Sequence, residues 1–237
     1  MKSLTPSQNV AVLGAGRLLD LDLSAICAQS ECVSLFDGDR GCRAVWRTAS
    51  GTAFGRSVLA RIEDVTGALS GWNKALKAHC SESDLGSFLR SLRAPRPTWS
   101  REPFDTIISL NLLGQIPLYW RDSVRAAKKQ LSDTEEEALD ASMGELQRAH
   151  LEGLITSGAR RVIAIFDTEY YFYQASACEW RVEPALRGDA AQSMKLLVPG
   201  RMECTQDSWL WHVAPHYVEQ DDEGEIHRVE AYVWDKR

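Results

Sequence analysis

The stretch "NVAVLGAGRLLDLDL", Asn9 to Leu23, sets the reading of this chain. Its first half is an apolar run that ends in Gly14-Ala15-Gly16, the pattern of a buried strand emptying into a tight turn. Leu18, Leu19, Leu23, Ile26 and Cys27 then recur close to a helical period, so a helix is expected over "LLDLDLSAICAQS". Gly14 allows a sharp bend, and Gly16 lets a ligand approach the backbone without meeting a Cβ. A tight strand-to-helix turn with no ligand is the plainer reading of a lone GxG. Two features mark this turn. Leu18-Leu19 stands where a dinucleotide fingerprint would reach its third glycine, and Asp20 and Asp22 fall in the first turns of the expected helix.

Outward from this stretch, apolar runs recur at even spacing. "CVSLFDGD" reads as a second strand ending in acid, "RGCRAVWRTAS" as a short helix, and "SVLARIEDV" as a third strand. The segment from Thr66 to Pro103 is longer than an ordinary connection. It holds a helical stretch, "LGSFLRSL", and then "APRPTW", whose prolines oppose helix and central strand. "FDTIISLNLLGQIP" is the fourth strand and its exit. "SDTEEEALDASMGELQRAHLEGLITSG" reads as one long helix, capped by Ser132 or Asp133, with acids in its first turn and Gly158 after its end. "ARRVIAIFDTEYY" is the fifth strand. "DSWLWHVAP" and "HRVEAYVWD" are two more, separated by the acidic turn "EQDDEGE".

Strands separated by helices imply a parallel sheet with helices on both faces. The link from Pro215 to His227 is too short for a parallel crossover, so the last two strands are expected to form an antiparallel hairpin. The expected fold is α/β: a Rossmann-like, doubly wound, seven-stranded sheet, mostly parallel, with a C-terminal antiparallel hairpin. A single domain over residues 1–237 is expected, with a helical cap insertion at 66–103 and a substrate-shaping insert at 175–204.

In an open α/β sheet the ligand lies beyond the carboxyl ends of the strands, where strand order reverses. The first strand delivers Gly14, Ala15 and Gly16 there. Asp37, ending "VSLFD", lies 23 residues after Gly14 (37 − 14), close to the offset of about 20 at which an acid meets ribose hydroxyls. Asp39 is better placed to cap the next helix. Asp64, ending the third strand in "RIEDVTG", can accept a hydrogen bond from an adenine amino group, with the backbone beside it meeting the ring edge. A simple turn acid is the alternative there. NAD and S-adenosylmethionine both use such an adenosine site, so the turn must discriminate. A pyrophosphate wants the third glycine and a helix N-terminus free of anions. S-adenosylmethionine carries a cationic sulfonium and ammonium, which Asp20 and Asp22 suit. The expected cofactor is S-adenosyl-L-methionine.

At these residues the chain resembles the class I S-adenosylmethionine-dependent methyltransferases, especially a bacterial subgroup with a "VLGAG…D-DL" first motif. The likeness runs through "VAVLGAGRLLDLDL", "SLFDGD", "RIEDVTG", "FDTIISLNLLGQI" and "WLWHVAP…RVEAYVW". It implies methionine-moiety contacts at Gly14, Ala15 and Gly16, ribose contact at Asp37, and adenine contact around Asp64 and Val65. It also implies that the strand-four exit, Ser109, Leu110, Asn111 and Leu112, faces cofactor and substrate. The chain departs from the pattern at Val12, where the family carries an acid two residues before the first glycine. Asp20 is the substitute the sequence offers.

Methyl transfer asks the protein mainly to position the acceptor and exclude water, with a general base helping an oxygen or protonated nitrogen. Polar candidates for substrate contact are Asn111 and Gln115 after strand four, and Asp167, Glu169, Tyr170 and Tyr171 after strand five. The run "FDTEYYFY" could build a cage that stacks on a planar acceptor or holds a cation. Its tyrosines could equally line a lid or a homodimer contact. No motif declares the base; the candidates are Tyr170, Tyr171, His150 and His212. His150 sits with Leu146 and Ile155 on a mostly apolar helix side, where a partly buried structural histidine is the plainer reading. His212 alternates with Trp209 and Trp211 and should face away from them, the tryptophans packing. Trp72, His79 and Trp99 are available to line a cap. Arg181, Arg187 and Lys195 suggest an anionic substrate group or solvated surface charge.

A small-molecule methyltransferase is thus the leading expectation. The alternatives are a non-catalytic binding or scaffold protein of the same fold and a nicotinamide-dependent oxidoreductase. Composition narrows the field. Among 237 residues, 44% are apolar and 25% charged, ordinary values for a globular chain. The net charge of −6 argues against a nucleic-acid surface, though basic residues cluster at 90–101 and 121–129. No apolar run reaches the roughly 18 residues of a membrane span, and "MKSLTPSQ" lacks a signal-peptide core, so a cytoplasmic protein is expected. The six cysteines show no CxxC and the five histidines no metal-ligand spacing, which points to free thiols and no metal.

Overall fold

The computed structural model describes residues 7–52, 57–79, 85–187, 202–214 and 222–236. Strands β1 (Ser7–Leu13), β2 (Ser30–Asp37), β3 (Ser57–Ile62), β4 (Thr106–Leu110) and β5 (Arg161–Gln174) are parallel to one another along one sheet. With β6 (Glu179–Pro184), β7 (Met202–Ala214) and β8 (Glu223–Lys236) the order is β3-β2-β1-β4-β5-β8-β7, β6 pairing with β5 off that path. The fold is therefore mixed α/β, mostly parallel, closed by the antiparallel β7–β8 pair.

The apolar run of β1 explains why it lies at the centre. Val10 and Val12 enter a core with Ile26, Cys27 and Trp46, while Ala11 and Leu13 enter another with Trp72, Trp99 and Trp120. Alternate residues go to opposite faces, and because helices cover both faces every position must be apolar. Helices α1 (Leu23–Ala28) and α2 (Cys42–Thr52) supply the first layer. The second comes from α3 (Leu69–His79), α4 (Leu85–Ser91), α5 (Leu112–Ala127) and α6 (Asp133–Thr156). Ser132 starts α6, its N–H donating to the Glu135 carboxylate at 2.9 Å in a capping box.

Four sequence expectations change. First, α1 begins at Leu23, not Leu18, because Leu18 takes a left-handed φ of 61° that ends regular backbone, and Leu19 is exposed. Asp20 and Asp22 consequently precede the helix, and Asp22 is its cap, accepting from the Ala25 N–H at 3.0 Å. Second, among the described residues the sheet has eight strands, not seven. The far half of β5 runs past β4, whose last paired residue is Leu110, and β6 fills the ladder edge left open there.

Third, Glu223, Gly224 and Glu225, expected in an acidic turn, are the start of β8 and pair with Phe172, Tyr173 and Gln174. Fourth, Trp209 and Trp211 do not enter the core, although Trp211 meets the His227 ring edge-on at 6.5 Å. They are 44% and 41% exposed, since β7 is the outermost strand and none of the described elements covers it. The described residues of the 66–103 segment hold α3, α4 and a helical turn at Thr98–Arg101, but Trp72 and Trp99 go into the core rather than over a pocket. Trp72 meets Trp120 edge-on at 5.2 Å, and Trp99 donates to the Val65 carbonyl at 2.8 Å. No helix among the described residues is long and apolar enough to cross a membrane.

Candidate functional site

The glycine turn sits where strand order reverses, between β2 and β4 at their carboxyl ends. Gly14 has φ 72°, and a Cβ there would meet the Leu110 carbonyl at 2.5 Å and Leu112 Cγ at 2.8 Å. Any side chain would collide with backbone, so this glycine serves packing as well as the bend. Gly16, at φ 50°, has nothing nearer than 3.9 Å on its Cβ side. That is the open approach the sequence suggested. Ala15 between them is buried.

Both ends of the turn are anchored. The Gly14 and Ala15 N–H groups donate to the Phe36 carbonyl at 2.9 and 3.1 Å. The Gly16 N–H donates to Asp37 Oδ2 at 2.8 Å, and the Asp39 N–H to Asp37 Oδ1 at 2.8 Å. Asp37 thus ties the glycine turn to the end of β2, each carboxylate oxygen retaining a lone pair for a ligand. The Gly16 carbonyl accepts from Trp46 Nε1 at 2.8 Å. Trp46 was not singled out from sequence; its spacing of four from Cys42 on the buried side of α2 marks the helix face but not the bond. Asp20 is exposed in the turn.

Asp64 is committed to its own loop. Oδ1 accepts from the Thr66 N–H (2.9 Å) and hydroxyl (2.6 Å), and Oδ2 from the Ser70 N–H (2.9 Å), at the start of α3. An adenine contact there would have to add to these bonds. Val65 is buried beside it.

The strand-four exit is abrupt. Asn111 alone separates β4 from α5, in a left-handed conformation with φ 51°, and its Oδ1 is buried with no hydrogen-bond partner among the described residues. An orphan acceptor of this kind calls for a donor from elsewhere. Ser109 turns away: its hydroxyl bonds His150 Nε2 at 2.9 Å inside the core. His150 is fully buried, edge-on to Trp99, and burial pulls its pKa down to about 3. A neutral imidazole sealed in the core cannot reach an acceptor, so among the base candidates it is the one whose position rules it out. Leu110 is half-buried against the α1/α2 layer, and Gln115 is exposed on α5.

The acids and tyrosines after strand five do not form one cage. The β5–β8 register shifts between Asp167 and Glu169, a bulge at Thr168. An extra residue resets alternation, so Asp167 and Tyr170 share one face. There, a Cβ on Gly114 would lie 2.8 Å from the Tyr170 hydroxyl and 3.4 Å from Asp167 Oδ2. Glu169 and Tyr171 take the other face, hydrogen-bonded to each other, with Arg228 at 3.5 Å from Glu169. His212 is on that second face too, bonded to the Tyr173 hydroxyl at 2.7 Å.

The first face carries a residue the sequence reading missed. His227, opposite Tyr170 in the ladder, places Nδ1 3.2 Å from Asp167 Oδ2 and Nε2 2.7 Å from Glu225 Oε1. It meets Tyr170 edge-on at 4.7 Å. Burial lowers the imidazole pKa, but the bonds and charges of Asp167 and Glu225 outweigh it and the pKa rises. Tyr170 is pushed up by burial and by Asp167, so its phenol stays protonated. Asp167 is 2% exposed and its Oδ1 has no partner among the described residues. Gln147, fully buried on α6, closes the neighbourhood. It donates to the Leu113 and Ala185 carbonyls (2.6 and 2.8 Å) and accepts from the Arg187 N–H (2.7 Å). Arg181 and Arg187 each pair with acids of the chain, Glu183 and Asp140, and Lys195 lies outside the described residues.

No protein-family model and no curated protein matches the sequence. Solved structures resemble the chain at low identity. YcgJ from Bacillus subtilis is 8% identical with a TM-score of 0.47, over 98% of this chain and 93% of that one. TehB from Haemophilus influenzae is 8% identical at 0.45, over 99% of this chain and 59% of that one. The N-methyltransferase NodS from Bradyrhizobium japonicum, in complex with S-adenosyl-L-homocysteine, is 10% identical at 0.41, over 97% and 78%. Likeness of this order settles neither activity nor substrate; the fold class stands on the strand order itself.

Proposed function

We propose that the chain is an S-adenosylmethionine-dependent methyltransferase acting on a small molecule. One observation carries the reading: a glycine turn hydrogen-bonded to the acid ending β2, open on the Gly16 side, at the reversal point of the sheet. Ligands of open α/β sheets bind at that point. S-adenosylmethionine would supply a methyl group already activated on a sulfonium. Gly14 to Gly16 and Asp37 would hold it, and the orphan Oδ1 of Asn111 offers an acceptor for its donors. Tyr170 and Asp167 lie against Gly114, just past the strand-four exit, with His227 beside Asp167, and on this reading they would orient the acceptor and exclude water.

Calorimetry with S-adenosylmethionine and its demethylated product tests this. Micromolar-range binding is expected, weakened by about 1.5–3 kcal/mol in Asp37→Ala, the scale of a lost charged hydrogen bond. A folded protein that gives no heat overturns it. Val12, fully buried in the apolar core, favours a second reading, a binding protein without turnover, because the usual acid is missing from that position. Bound cofactor with no labelled methyl passed to any acceptor in cell extract is the outcome that reading requires.

A further inference from the structure

On the face that carries Asp167 and His227, the antiparallel arm continues as three rungs across β6, β5 and β8. Tyr170 stands between Glu183 and His227, Phe172 between Arg181 and Glu225, and Gln174 between Glu179 and Glu223. Residues opposite one another in a regular ladder share a face, so the last two rungs form one lining. With Tyr173, Trp180 and Gly224 of the rung between them, they bound a hollow of about 440 Å³ lined by three carboxylates, three aromatic rings and one cation.

We infer that this groove binds a cationic amine, and that, on the methyltransferase reading, the amine belongs to the acceptor. Three observations support it. The groove's own cation is already seated as a ligand would be, Arg181 Cζ lying 4.8 Å over the Phe172 ring. An aromatic face next to carboxylates attracts organic cations. The Arg181 side chain is 69% exposed and pairs only loosely, at 3.3 Å, with Glu183, so an incoming cation can displace it. At the inner end, Glu225 joins the groove to His227 and through it to Asp167, a carboxylate almost wholly buried with one oxygen unpartnered among the described residues. Asp167 does not line the hollow, but through His227 it ties the groove's inner carboxylate to a buried acid. Glu179 and Glu223 flank one rung and Glu225 stands on another, and no group of three acids or histidines among the described residues is arranged to hold a metal ion, which suits an extended organic cation.

The test titrates the full chain with benzylamine, and with benzyl alcohol as its neutral counterpart, by amide-shift NMR at low salt. Saturable binding of benzylamine is expected, at least tenfold tighter than benzyl alcohol, with shifts centred on residues 172–181 and 223–227. The double variant Glu223→Gln, Glu225→Gln should weaken benzylamine at least fivefold. Arg181→Ala, which vacates the ring, should tighten it at least twofold, and it serves where the double variant fails to fold. Equal affinity for amine and alcohol, or an Arg181→Ala affinity that is unchanged or weaker, overturns the inference. Titrating S-adenosylmethionine on the same sample separates the two claims. Cofactor heat without amine binding sinks the groove alone. Amine binding without cofactor heat sinks the methyltransferase reading and leaves the groove a cation site.

Discussion

In β1, four consecutive residues, Val10 to Leu13, are at most 3% exposed, whereas in β7 every residue from Thr205 to His212 is exposed. Both are strands of one sheet. The first lies between β2 and β4 with helices on both faces, and its environment demands apolar side chains at every position. The second is the outermost strand of an arm in which β5, β6, β7 and β8 pair antiparallel, and its tryptophans are left largely exposed. The parallel half is held by burial on both faces, whereas β7 at the edge of the arm is held mainly by its ladder to β8. Substitutions should therefore act with different size on the two halves.

The largest effect is expected in the parallel half. Leu13→Ala removes a fully buried side chain and should cost about 2–5 kcal/mol by chemical denaturation; a loss under 1 kcal/mol would mean that half is not the rigid one.

The two histidines sharpen the contrast through pH. His150, neutral in the core with its pKa lowered to about 3, favours the fold above its ordinary value of about 6.5. That contribution is lost as pH falls from about 6.5 towards 3, at up to about 1.4 kcal/mol per pH unit. His227, in the arm, has a raised pKa. Its contribution is complete below about pH 6.5 and disappears as pH rises through the folded value. His150→Gln should flatten the acid limb of a stability–pH curve, and His227→Gln the neutral-to-alkaline limb. Interchanged effects would reverse the assignment.

In the arm, the ring of Tyr173 fills the space where Gly224 would carry a Cβ, its cross-strand partner. Gly224→Ala should cost about 1–3 kcal/mol, the range of overpacking, and when made in a Tyr173→Ala background its additional cost should largely disappear, the recovery that relief of the clash requires. No recovery would place the strain in the backbone instead. The smallest effect is expected at Leu210, 66% exposed on β7, where Leu210→Ala should stay within about 0.5 kcal/mol. A loss comparable to that of Leu13→Ala would show that β7 is buried against a partner in solution.

Much of the first half of the fold was legible in the residues. Val10 to Gly16, the acid of Asp37 and the prolines after Leu92 each act over a few residues, so strand, turn and breaker could be read locally. The terminal antiparallel pair followed from the shortness of its link. The start of α1 was not legible: Leu18 and Leu19 keep a helical period, and only the left-handed backbone at Leu18 shows that the chain has not yet begun to coil. Asp64 was legible as an acid at a strand end, but the choice between ligand and cap waited on Thr66 and Ser70 folding back to it.

The candidate acceptor face shows why the rest needed three dimensions. Period-two alternation places Asp167 with Glu169 and Tyr171, and one bulged residue at Thr168 sends it to Tyr170 instead. His227 lies 57 positions from Tyr170 (227 − 170) and becomes its neighbour only through the β5–β8 register. The sequence by itself determined the alternating α/β plan, the glycine turn and its acid, because hydrophobic period and turn chemistry are local properties. Only the tertiary structure decided which side chains meet, because a ladder's register and a single inserted residue govern every contact across it and leave no mark on either strand alone.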